Sequence, residues 1–136
     1  MDKLFENLGV ADLFGNTSGN TYLRMGHGED ALMFGNIPEL VKIPNAIRVT
    51  TVTLNEKSDF IAYLKRNRRR ETVNFEMMKP GWGFIKEGAV YYRVDEKEQA
   101  VDLHTGQWGM FTNTASVTPI SPKTIEGALA FLTTAH

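Results

Sequence analysis

The chain has 136 residues, 42% of them apolar and 23% charged, with a formal net charge of −1. That length and mix fit a single α+β domain over residues 1–136 and argue against a disordered chain. The chain has no cysteine, which excludes a disulfide framework, a thiolate zinc site and a cysteine nucleophile.

The opening segment, Met1 to Phe14, carries Asp2, Glu6 and Asp12. It has no apolar run of signal-peptide length, and no stretch approaches the ~20 apolar residues of a membrane span. A cytoplasmic protein with no membrane partner is expected. Leu4, Phe5 and Leu8 fall at helical spacing, so residues 2–14 read as a first helix, despite Gly9 in its middle. Thr21 to Met25 and Ala31 to Phe34 read as a hairpin turned by Gly26-His27-Gly28-Glu29-Asp30. Pro38 and Pro44 bracket a short irregular segment. Ala46 to Leu54 is β-branched and reads as a strand.

Asn55 or Ser58 caps a second helix running to about Asn67, with Phe60, Ile61 and Leu64 as its inward stripe. Val73, Phe75 and Met77 alternate with polar residues, the pattern of a half-buried strand. Gly81–Lys86, Ala89–Val94, Gln99–His104 and Gln107–Phe111 continue as short strands with short joints, which makes an antiparallel meander. Thr112 to Pro122 reads as a turn-rich stretch. Ser121 and Pro122 then start a last helix striped by Ile125, Ala128, Leu129 and Leu132. The expected fold is one antiparallel sheet, a β-hairpin plus a C-terminal β-meander, with about three helices packed mainly on one face. No repeat is read along the chain. The open edges of the meander allow pairing with a second copy.

Charge is the most distinctive feature. Lys65, Arg66, Arg68, Arg69 and Arg70 are five of the fifteen cations, and the rest of the chain then has ten cations against sixteen anions, a net of −6. Guanidinium forks and ammonium groups bind carboxylates and phosphates. A helix end also favours positive charge for ordinary dipole reasons, so a solvated helix terminus is the competing reading. The second feature is Pro80-Gly81-Trp82-Gly83-Phe84. Trp82 suits stacking or anchoring if exposed, and core packing if not. Tyr91 and Tyr92 must face opposite sides of their strand.

A third group is Asp102 and His104, which share a strand face, with His27 and Glu29 as further ligands should the two segments meet. No P-loop, dinucleotide-binding or nucleophile-elbow motif is present, and no cofactor is implied. The reading favours binding over catalysis. It suggests an inhibitor or accessory factor, of the phage or mobile-element kind, that meets an acidic protein surface through residues 65–70 and Trp82. Two alternatives stand beside it. One is a nucleic-acid binder that adds aromatic stacking to the cations. The other is a small hydrolase or metal-dependent enzyme built on Asp102 and His104 with His27 and Glu29.

Overall fold

Short β-branched and aromatic runs, separated by glycine and polar turns, favour strands over helices along most of this chain. The computed structural model describes residues 2–15, 20–26, 28–34, 38–52 and 54–134. The first half runs β1 (Asp2–Leu4), a 3-10 turn (Phe5–Asn7), β2 (Leu13–Gly15), β3 (Thr21–Arg24), β4 (Asp30–Met33), β5 (Glu39–Lys42), β6 (Arg48–Thr51) and α1 (Leu54–Arg66). The second half runs β7 (Val73–Asn74), a 3-10 turn (Phe75–Met77), β8 (Gly83–Lys86), β9 (Ala89–Tyr92), β10 (Gln99–Asp102), β11 (Trp108–Met110), β12 (Ser116–Ile120) and α2 (Pro122–Thr134).

The two halves repeat one another. Each makes a six-stranded antiparallel sheet, ordered β1-β6-β2-β3-β4-β5 in the first and β7-β12-β8-β9-β10-β11 in the second, and each ends in a helix. The irregular hydrogen bonds repeat too. Phe5 N–H donates to Ile47 O and Glu6 N–H to Asn45 O, while Phe75 N–H donates to Ala115 O and Glu76 N–H to Asn113 O. A positive-φ position recurs: Ala11 has φ +68° where the second half has Gly81 at φ +92°.

Each sheet buries both faces. One face carries a private cluster: Phe5, Leu8, Phe14, Tyr22, Ala31 and Val49 in the first half. Its counterpart, Phe75, Met78, Phe84, Ala100 and Val117, serves the second half, with Tyr91 packed against it. The opposite faces meet in one shared core. Leu13, Leu23, Leu32 and Phe34 from the first sheet join Val90, Tyr92, Val101 and Ile120 from the second, together with Phe60, Ile61 and Leu64 of α1 and Ile125 and Ala128 of α2.

A buried arginine locks each half. Arg24 and Arg93 are only 4% and 3% exposed. Each guanidinium lies over the phenylalanine of its 3-10 turn, 4.6 Å above Phe5 and 4.2 Å above Phe75. Arg24 donates to the carbonyls of Phe5, Leu8 and Gly28. Arg93 donates to the carbonyls of Phe75, Met78, Asp95, Glu96 and Lys97. Both therefore tie a 3-10 turn to the hairpin turn that follows their own strand.

These observations correct the expected fold. There are two six-stranded antiparallel sheets instead of one, and two helices among the described residues instead of about three on one face. Residues 2–14 are not a helix. The spacing of Phe5 and Leu8 fits a single 3-10 turn with period three, and both enter the private cluster. Likewise Phe75 and Met77 belong to a 3-10 turn, and only Val73–Asn74 is strand. The Pro38–Pro44 segment contains β5, and the Thr112–Pro122 segment contains β12. Pro119 sits inside β12, which disguised it. Its carbonyl accepts from Arg69 N–H at 2.8 Å, and β7 pairs only with Ser116 and Val117. The missing N–H thus lies where the neighbouring ladder has ended. The hairpin β3–β4, the meander β8 to β11 and both α1 and α2 match the expectation. No helix among the described residues is long and apolar enough to cross a membrane.

Gly106 joins the halves at close quarters. It has φ +70°, and a Cβ there would lie 3.1 Å from Arg24 O and 3.2 Å from Ala11 N. Left-handed strain and a backbone collision would combine. Gly106→Ala should therefore destabilise the fold by about 2 kcal/mol or more. A shift of the urea midpoint to lower concentration, with unchanged slope, is the expected measurement.

Candidate anion-binding surface

The cations lie where the first half hands over to the second. α1 ends at Arg66, and Arg68 makes an isolated antiparallel bridge to Ile120. Arg69 N–H bonds Pro119 O. The helix does not continue through Arg70, so the five side chains fan from a helix end and an edge segment. That segment is held by backbone hydrogen bonds to β12. Arg66, Arg68, Arg69 and Arg70 are exposed, and Lys65 is half-buried.

One cation has a local structural task. The Arg68 guanidinium donates to Lys65 O at 2.7 Å, closing the end of α1. Arg69 instead lies over the Trp82 ring, 5.1 Å from its centroid. Among the described residues none of the five forms an ion pair; the pair Lys42–Asp30 is elsewhere and exposed. No contact ion pair therefore ties down any of the five charges among the described residues.

Trp82 is half-buried beside the private cluster of the second half, and Phe84 lies fully inside it. The two tyrosines divide as their strand requires. Tyr91 stacks on Phe84, while Tyr92 is buried in the shared core.

Asp102 ends β10 and His104 lies in the turn after it, so the two do not share a strand face. The Asp102 carboxylate accepts from the backbone N–H groups of His104 and Thr105, a turn-capping arrangement. His104 is exposed. Glu29 is exposed as well, and His27 lies outside the described residues. The β3–β4 turn and the β10–β11 turn do flank one groove of about 460 Å³, lined by Met25, Asp30, Leu40, Gln107 and Trp108. Asp102, His104 and Glu29 do not line it. Among the described residues no three metal-binding side chains come together.

One ionisable group escaped the sequence reading. Lys57 of α1 is 9% exposed, and its ammonium donates to Ala11 O and, at 3.1 Å, to His104 O. It thereby bridges the two halves. Burial lowers its pKa from the ordinary 10.5, and the nearby Asp12 and Asp102 partly oppose that. The folded protein holds this proton less tightly than the unfolded chain. The resulting penalty is present below the folded pKa and fades as pH rises through it towards 10.5. Lys57→Met should remove that rise. Wild type should gain urea resistance relative to the variant between neutral pH and about pH 10. A constant difference across that range would contradict the assignment.

No protein-family model, curated protein or solved structure matches this chain.

Proposed function

We propose that this protein acts by binding, in the cytoplasm, and that Lys65, Arg66, Arg68, Arg69 and Arg70 with Trp82 engage an acidic surface on a protein partner. The observation that carries the reading is the cluster's setting. Its backbone is pinned to β12, none of its charges forms an ion pair among the described residues, and Arg69 is held against Trp82. Helix stability does not require such an arrangement. A terminal cation contributes only about 0.3–1 kcal/mol through the dipole, and four of these five are arginines with forked donors. Against a net of −6 elsewhere, the cluster is a local patch and not general basicity. That favours a confined anionic contact over wrapping along a nucleic acid.

An inhibitor or accessory factor works in this way, by occupying a partner's surface. The test replaces Arg68, Arg69 and Arg70 together with Glu and compares quantitative pull-downs. Reversed charge should lower partner capture on the order of tenfold or more at low salt. Capture equal to wild type would remove the cluster from the function.

A further inference from the structure

The two halves differ where the helix meets the loop before the second strand of each sheet. The fourth residue of α1 is Lys57, and the fourth of α2 is Ile125. Lys57 fills its site and bonds the Ala11 carbonyl. Gly81 stands in the place of Ala11, and Ile125 has no group that can reach across to it. A pocket of about 160 Å³ remains there, lined by Gly81, Trp82, Tyr92, Ile125 and Leu129, with Glu126 at its side.

Trp82 connects this pocket to the cation cluster. Trp82 lines the pocket, and its ring carries the Arg69 guanidinium at 5.1 Å. A recess and a positive patch therefore adjoin through one residue. The volume suits a single ring, since an apolar cavity of about 150 Å³ accepts benzene.

We infer that the pocket receives one apolar side chain, up to phenyl size, from an acidic segment of a protein partner whose flanking carboxylates meet Lys65 to Arg70. This rests on the anion-binding reading above and names the partner's chemistry. Charge complementarity selects the flanks, and burial of the anchor supplies affinity at a fixed point. Glu126 beside the pocket can accept a hydrogen bond from a peptide N–H, and the anchor keeps the partner's carboxylates on its flanks, away from Glu126.

The test uses the full chain with Trp108→Phe, leaving Trp82 as the indole reporter. Two short glutamate-rich peptides are titrated, one with a single central Phe and one with Ala in its place. The Phe peptide should bind roughly tenfold or more tighter and shift Trp82 emission. Leu129→Trp, which fills the pocket and is read by the anisotropy of a labelled peptide because it adds a second indole, should abolish that increment, and a urea melt shows whether this variant folds. If it does not, the peptide pair on the Trp108→Phe protein decides the matter. Equal affinity for both peptides would overturn the pocket while leaving the anion-binding reading intact. No binding of either peptide at low salt would overturn both. A single-stranded oligothymidylate that binds more tightly than the Phe peptide would also overturn the inference.

Discussion

Replacing Arg93 with Met should destabilise the protein by roughly 4 kcal/mol, a loss on the order of 10 °C in Tm. Five guanidinium hydrogen bonds end on main-chain carbonyls of Phe75, Met78, Asp95, Glu96 and Lys97. Methionine fills part of the volume and satisfies none of those acceptors. The bonds to Phe75 O and Met78 O are buried, and carbonyls left there without a donor cost more than the bonds themselves contributed. Lysine should fail as well, because a point charge with three donors does not reproduce the fork. The same change at Arg24, Arg24→Met, should show a similar loss, since its guanidinium ties Phe5, Leu8 and Gly28 in the first half. Thermal melts of the two variants, read by far-UV circular dichroism, provide the comparison. A loss under about 1 kcal/mol at both positions would show that the arginines are ornaments of the fold and not its locks.

Separating the halves should abolish folding. A fragment ending near residue 70 keeps its private cluster but exposes Leu13, Leu23, Leu32, Phe34, Phe60, Ile61 and Leu64, all buried in the shared core. Each such side chain contributes about 1.5–3 kcal/mol by burial, so the loss is on the order of 10 kcal/mol. That equals the whole stability of a typical domain. Neither fragment alone should show a cooperative urea transition. An equimolar mixture should recover one, because the core and the contacts of α1 with α2 reform. A fragment that unfolds cooperatively by itself would show that each half is self-sufficient.

The fold was only partly legible. The meander and the two real helices carry strong local patterns, with Ser121-Pro122 at one helix start and Phe60, Ile61 and Leu64 on the inner face of the other. The first segment misled because a 3-10 turn and an α-helix place apolar residues three apart alike. β12 was hidden by Pro119, whose exemption from strand pairing depends on where β7 stops. The repeated architecture has a signal in the sequence that spacing exposes. Phe5-Glu6 recurs as Phe75-Glu76, Tyr22-x-Arg24 as Tyr91-x-Arg93, and Glu29-x-Ala31 as Glu98-x-Ala100. Asn45-x-x-x-Val49-Thr50 recurs as Asn113-x-x-x-Val117-Thr118. The residues that persist are those the fold needs: two ring clusters, two guanidinium locks and two turn ends. The intervening residues differ between the halves, and that conceals the match.

The site divides in the same way. The cations were visible as a run, but their backbone tether to β12 and the Arg69–Trp82 contact depend on chain segments far apart in sequence. Lys57 carried no sequence signal, since a lone lysine near a helix start reads as a solvated charge. Its burial follows from the second half closing over it, with His104 supplying an acceptor. The pocket beside Trp82 lies where the counterpart of Lys57 is Ile125.

The central claim is that a tethered cation cluster binds an acidic protein surface. The most direct measurement is the affinity of a glutamate-rich peptide for the full chain as a function of salt, by fluorescence anisotropy. Wild type should bind at low ionic strength and weaken steeply as salt is added, while the protein with Arg68, Arg69 and Arg70 replaced by Glu should bind weakly at every salt concentration. Identical curves for the two proteins, or no binding to wild type at low salt, would contradict it.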